Sequence, residues 1–193
     1  MITRFIFLLL TLTLSSCALL SPQVGQQTLQ QQLSQIDSWQ VRGKLSVTSS
    51  HDSVTGYLTW NQQDGDYQLF ITGPFGQGSS QLKGSDDSAE LLLPGWDKPQ
   101  QASNAEQLML THMGWKFPVS DIRHWVKGQP APGGHSDAKF DDSGLLQELN
   151  QHGWKVRYSR YSNQQGFWLP GLIKVTGHNF RFVFSIKEWT ING

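Results

Sequence analysis

From Trp39 onward, apolar and polar residues alternate with a period of two. Trp39, Val41, Leu45 and Val47 share one face of the first run, and Gln40, Arg42, Lys44 and Ser46 share the other. This is the pattern of a strand with one buried face. Val54, Leu58 and Trp60 repeat it against Ser53, Thr55 and Thr59, with Tyr57 as an outward aromatic. Tyr67, Leu69 and Ile71 follow the turn residues Asp64, Gly65 and Asp66. Ser79 to Lys83 and Glu90 to Leu93 predict two more strands, joined through Gly84 and Asp86-Asp87. Such short connections favour an antiparallel meander.

The period then lengthens. Ser103-Asn104-Ala105-Glu106 reads as a capping box, with Ser103 as N-cap and Glu106 at N3. Leu108, Met109, His112 and Met113 follow on one helical surface, and Gly114 stops the helix. A second short helix follows Pro118, with Ile122, Trp125 and Val126 on its apolar side and Gly128 at its end. Gln129 to Gly134 is a loop. Strands resume weakly at Phe140, Leu146 and Leu149, then clearly at Trp154, Val156 and Tyr158 and at Leu172 to Thr176. The last run alternates Phe180, Phe182, Phe184 and Ile186 with Arg181, Val183, Ser185 and Lys187. The expected fold is mainly β with a few α-helices, in one sheet of roughly ten strands. Twist accumulates over so many antiparallel strands, so the sheet must curl or split. A curled sheet with helices at its mouth encloses a space that side chains or a ligand fill.

The start of the chain carries a different pattern. Arg4 is the only charge in residues 1–16, and Phe5 to Leu14 is an unbroken run of apolar residues and threonines. A basic start, a short apolar core and small residues predict a secretory signal peptide. The run is too short to span a bilayer, which takes about 20 residues. Leu14-Ser15-Ser16-Cys17 is similar to a bacterial lipobox. There the thiol takes a diacylglyceryl group and cleavage exposes an amine that is acylated in turn. Several acyl chains anchor stably where one does not. Ala18, in place of the aspartate of lipoproteins kept at the inner membrane, resembles outer-membrane sorting. The expected organisation is a signal peptide over 1–16, a lipidated N-terminus and tether over 17–27, and one domain over 28–193. Ser21, Pro22 and Gly25 would break regular structure in the tether. Leu29, Leu33 and Ile36 then mark one short amphipathic helix.

Composition narrows the function. The 193 residues hold 15 basic and 15 acidic side chains, with eight Trp and ten Phe. No basic excess exists to track a phosphate backbone, so nucleic acid is not an expected partner. A single Cys excludes an intrachain disulfide and any multi-cysteine metal site. The six His are scattered, with no metal-binding spacing. Asp121 and His124 lie three apart on a short helix, an arrangement read as a surface ion pair rather than an acid/base couple. No nucleophile elbow occurs, and Gly73, Gly76 and Gly78 precede a strand rather than the helix a phosphate loop needs. The expectation is no catalytic residue, no metal and no enzyme.

Two turns are unexpectedly apolar. Gly73-Pro74-Phe75-Gly76-Gln77-Gly78 places an aromatic at the tip of a turn. Phe75 either folds back on the core or is exposed to enter a membrane or a guest lipid. Phe167-Trp168 before Leu169-Pro170-Gly171 forms the second, read as core packing at a strand end.

Several motifs in order resemble the LolB family. They run Trp39 with Arg42-Gly43-Lys44-Leu45, Gly56-Tyr57-Leu58-Thr59-Trp60, and Gly73-Pro74-Phe75-Gly76. Gly114-Trp115, Pro118-Val119, Arg123-His124-Trp125-Val126-Lys127-Gly128, Gly153-Trp154 with Tyr158, Leu169-Pro170 and Trp189 complete the series. The resemblance implies an open, unclosed antiparallel β half-barrel of eleven strands, with a helical lid enclosing an apolar cavity for acyl chains. It implies a monomer anchored by its lipid to the outer membrane and facing the periplasm. There it would accept lipoproteins from the periplasmic carrier LolA and insert them into the inner leaflet. Gly73, Pro74, Phe75 and Gly76 match a projecting insertion loop with an apolar tip, and Phe75 falls where one member of the family carries leucine. No cofactor is implied beyond the covalent diacylglycerol and N-acyl lipid on Cys17. The candidate cavity lining is Val41, Leu45, Val54, Leu58, Trp60, Leu69 and Ile71 from the first strands. Phe182 and Phe184 join from the last strand, and Met109, Met113 and Trp125 from a movable lid. The residue pattern alone leaves two alternatives open: a lipoprotein holding another hydrophobic ligand, or a structural one with a filled core.

Overall fold

The alternation becomes ladder pairing in the computed structural model, which describes residues 23–73 and 78–192. Helix α1 (Gln23–Ser34) leads into β1 (Ser38–Thr48), β2 (Ser53–Gln63) and β3 (Asp66–Thr72). β4 (Ser79–Gly84), β5 (Ala89–Leu92) and β6 (Gln100–Ala102) follow, then helices α2 (Ala105–Met113) and α3 (Val119–Trp125). The second block comprises β7 (Ser136–Phe140), β8 (Leu146–Gln151), β9 (Trp154–Ser159) and a hairpin of β10 (Ser162–Gln164) and β11 (Phe167–Leu169). It ends with β12 (Leu172–Gly177) and β13 (Phe180–Asn192).

Eleven strands form one sheet in the order β6-β5-β4-β3-β2-β1-β13-β12-β9-β8-β7, and the hairpin stands apart. Every neighbouring pair is antiparallel, with the first and last long strands joined at the centre. β6 and β7 remain edges, so the sheet is open, as expected for the half-barrel.

One irregularity shapes this centre. Arg42 of β1 faces Glu188, but Gly43 faces Ile186, which leaves Lys187 as a bulged residue of β13. The bulge changes which residues face inward: Phe182 and Phe184 are buried before it and Trp189 after it, while Phe180 and Ile186 are only partly covered. A bulge also bends its strand and sharpens the local twist. A Cβ on Gly43 would collide with the Ser185 carbonyl oxygen, so the close approach here requires glycine.

Several expectations are corrected. α1 begins at Gln23 and runs through Gly25, inside the stretch expected as tether. Gln is a good helix former, and one glycine costs only about 1 kcal/mol. The N-cap of α2 is Asn104, not Ser103; its side chain accepts from the Gln107 backbone N at 2.9 Å. Asn caps at least as well as Ser. The shift frees the Glu106 carboxylate to accept from the backbone N and hydroxyl of Ser120 instead. Phe167–Leu169 is a strand, not a turn. Its alternation buries Leu169 but leaves Trp168 45% exposed, against the core packing expected there. The polar strands β6 and β10 were not anticipated.

Candidate functional site

The concave face of the sheet is built from the inward positions of its strands. Val41, Leu45, Leu58, Trp60, Leu69, Phe182 and Phe184 are all buried there in one apolar cluster. Rings link the strands: Trp39 stands 5.2 Å from Trp60 and 5.5 Å from Trp189. α2 adds Leu108 and Met109, and α3 adds Ile122 and Trp125. Between the helices Phe117 lies 5.0 Å from Phe182 in an edge-on contact. Ile71 and Met113 pack against this cluster only partly buried. Val54, expected among the lining residues, is 43% exposed. It sits at the start of β2, past the point where Tyr57 pairs with the last residue of β3, so no strand of that side covers it.

Two large concavities lie elsewhere, on the outer face. One, of about 940 Å³, is lined by Asn61, Gln68, Lys83 and Glu90, which alternate with the inward Trp60, Leu69, Leu82 and Leu91. The other, of about 630 Å³, surrounds the β1–β13 bulge. In this conformation the interior is occupied by the side chains of the covering helices.

The β3–β4 connection is closed at its base. The Gly73 backbone N donates to the Gly78 carbonyl at 3.2 Å. Gly78 has a φ of +72°, and a Cβ there would meet Pro94 Cγ at 2.8 Å. Pro74, Phe75 and Gly76 lie outside the described residues, as does Cys17.

α3 is tied by polar contacts that the sequence did not reveal. Trp125 Nε1 donates to Gln151 Oε1 of β8 at 2.9 Å, and the same glutamine holds Ala131 through its backbone N and carbonyl. Arg123 Nη1 reaches Asp86 in the β4–β5 turn at 2.6 Å. Asp121 pairs not with His124 but with His152 of the β8–β9 turn, at 3.0 Å. Lys127, buried, donates to the Leu33 and Ile36 carbonyls at the end of α1. Burial, helped by the Arg123 and Lys127 charges, pushes His124 down to about 4. Its Nε2 is buried without a hydrogen-bond partner. Burial also lowers Lys127, against the pull of Asp37.

Among the described residues, no group of three His, Cys, Asp or Glu could hold a metal ion. No described helix is long and apolar enough to cross a membrane.

Residues 37–189 match the sequence profile of the family described as outer membrane lipoprotein LolB. The chain belongs to the LolB family. The LolB proteins are lipoprotein-trafficking factors, so it is not an enzyme. It is 38% identical over 162 residues to the outer-membrane lipoprotein LolB of Pseudomonas paraeruginosa, covering 84% of this chain and 78% of that one. The LolB of Pseudomonas fluorescens is 39% identical over 158 residues, covering 82% and 77%. The fold is shared more widely. A LolA superfamily protein of Nitrosomonas europaea superposes with a TM-score of 0.55 at 12% identity, over 87% of this chain and 94% of that one. A DUF1329 family protein of Desulfovibrio piger gives 0.61 at 11% identity, over 88% and 92%.

Proposed function

We propose that this LolB protein is held at the outer membrane by lipid on Cys17. There it takes lipoproteins from a LolA-type carrier and passes them into the inner leaflet. Transfer of this kind needs no bond-making. It needs an apolar surface that can be offered to acyl chains and then withdrawn. Each methylene moved out of water is worth about 0.8 kcal/mol, so a lipoprotein does not cross the periplasm unescorted. The observation that carries the reading is the concave apolar face of an open sheet, covered by α2. This helix buries Ala105, Leu108 and Met109 yet has no polar tie to any strand among the described residues. Cargo chains would displace α2 from its place beside β5 and β6, where Leu91 is buried, and reach the apolar face behind it. Methionine suits such irregular guests, and Met109 and Met113 would accommodate them.

Release would fall to the β3–β4 loop, with Phe75 entering the bilayer. One such ring contributes roughly 1.5–3 kcal/mol on insertion, enough to bias docking but not to anchor the protein. The packed interior favours a second reading, a structural lipoprotein with a filled core. A single assay separates them: labelled lipoprotein on the carrier, the protein in membranes, and acceptor liposomes. Phe75→Glu should still accept cargo but deliver it about 10- to 100-fold more slowly, and Phe75→Leu should restore delivery. No uptake by the parent would favour the filled core. Delivery by the Glu variant at the parent rate would remove Phe75 from the mechanism.

A further inference from the structure

The outer face of β1 carries a feature that lipoprotein transfer leaves unused. Arg42 and Lys44 flank Gly43 and share the outward side of the strand. The bulge opposite adds Lys187, and a groove of about 630 Å³ lies around these residues. Three cations thus line one groove against a single acid, Glu188. Among the described residues none of the three has an acidic partner within ion-pair distance, a state they share with Lys98, Lys174 and Arg181, but only these three meet in one groove. Lys44 Nζ instead stands 5.4 Å from the centre of the Tyr57 ring, which is itself 56% exposed. Ile186 lies between these groups, partly covered. Tyr57 pairs with Thr72, the residue before Gly73, so the groove adjoins the base of the β3–β4 loop.

We infer that this groove binds the phosphates of anionic phospholipids and sets the protein's orientation on the bilayer. The chain as a whole is neutral, so attraction to an anionic surface must come from a local concentration of charge. Three unpaired cations over a half-buried apolar floor, with a tyrosine at the rim, match the headgroup layer of a membrane. Amphipathic aromatics favour that level, and Lys and Arg favour its phosphates. The inference rests on the proposed membrane attachment and adds a recognition site to it.

The test uses the mature lipidated protein in vesicles of phosphatidylcholine, with and without added phosphatidylglycerol, at low salt. Acetylation of individual lysines is followed by mass spectrometry. Lys44 and Lys187 should react about tenfold more slowly with phosphatidylglycerol present, and Lys139, on edge strand β7, should not change. High salt should restore the rates. Arg42→Gln should weaken the protection of Lys44 severalfold. Equal rates in both vesicles, or protection that appears only when an acidic protein partner is added, would overturn the site. Failure of the attachment itself looks different, since the protein would then float with neither vesicle.

Discussion

α2 presses Ala105, Leu108 and Met109 into the apolar interior, and among the described residues its side chains are otherwise held by the Asn104 cap, by ring contact of His112 with Trp96, and by Glu106 reaching Ser120. α3 buries Val119, Ile122 and Trp125 in the same interior, but it is also fastened at both ends of the open sheet. Arg123 holds the β4–β5 turn on one wing; His152 and Gln151 are held on the other. The Lys127 ammonium then fixes α1 behind it. Apolar burial is non-directional and can be exchanged for burial against an acyl chain. Buried hydrogen bonds are geometric and costly to leave unmade. The difference gives the two helices separate tasks: under the proposed function α2 would be the cover that cargo replaces, and α3 is the brace that ties two wings of an unclosed sheet together.

The largest test of that division compares two conservative changes. Gln151→Leu strands Trp125 Nε1 and both backbone groups of Ala131 in a buried site. It should cost about 3 kcal/mol or more, because each orphaned group costs about 1–3 kcal/mol. Met109→Leu keeps volume and apolarity under α2 and should cost less than about 1.5 kcal/mol. Urea midpoints at unchanged m-value give both numbers. Equal losses would mean that α3 is no more a brace than α2.

This contrast also marks what the sequence could convey. Inward faces were legible wherever one side of a strand is buried throughout, as in Trp39, Val41, Leu45 and Val47. They ceased to be legible at Lys187, where an inserted residue transfers the inward role from Phe184 to Trp189. Val54 carries the right residue on the right face but lies beyond the end of β3, beside β1 alone, and is exposed. β6 and β10 are three residues each, with no apolar alternation of their own, and are defined by the strands they pair with. In the site, the apolar floor and the glycine ends of the β3–β4 loop could be read from alternation and turn chemistry. Gln151 and Lys127 could not. Both are polar residues of types that usually stay exposed, and only the tertiary arrangement buries them. Asp121 was read against His124, its neighbour on the helix, when its partner is His152 of another element.

A smaller effect follows from His124, beside Trp125 in the brace. Its folded value of about 4 lies below the ordinary 6.5. Between those values the unfolded chain binds the proton and the folded one does not, so stability is full above pH 6.5 and falls as the pH drops toward 4. His124→Phe should flatten that slope. The gain should be on the order of 1–2 kcal/mol near pH 4, less than the full shift because the ring partly meets solvent. Lys127 has the same sign, but its window opens downward from pH 10.5. Glu148, drawn down to about 2 by Lys155 and Arg157, loses its contribution only below 4.5. Denaturation of parent and variant between pH 4 and 7 isolates the histidine. Parallel curves would mean that His124 is as well solvated folded as unfolded.

The smallest effect lies at the exposed fastening of the brace. The Asp121 carboxylate, hydrogen-bonded to the His152 ring, raises that imidazole above its ordinary 6.5. In the folded protein the proton is therefore held more tightly. The stabilisation is complete below pH 6.5 and disappears as the pH rises through the raised value, a direction opposite to that of His124. Asp121→Asn should remove it. The pair is partly open to water, so the loss should stay below about 1 kcal/mol. It should be greatest below pH 6.5, and it should shrink in about 1 M salt, where screening reaches about 3 Å. Arg123→Gln, which releases Asp86 at the other wing, should cost a similar amount with no such pH dependence near neutrality. Neither change touches the buried hydrogen bonds of Gln151, so α3 should stay seated in both. If Asp121→Asn instead cost as much as Gln151→Leu, the wings would be held by their exposed ends, and the buried glutamine would lose its place as the centre of the brace.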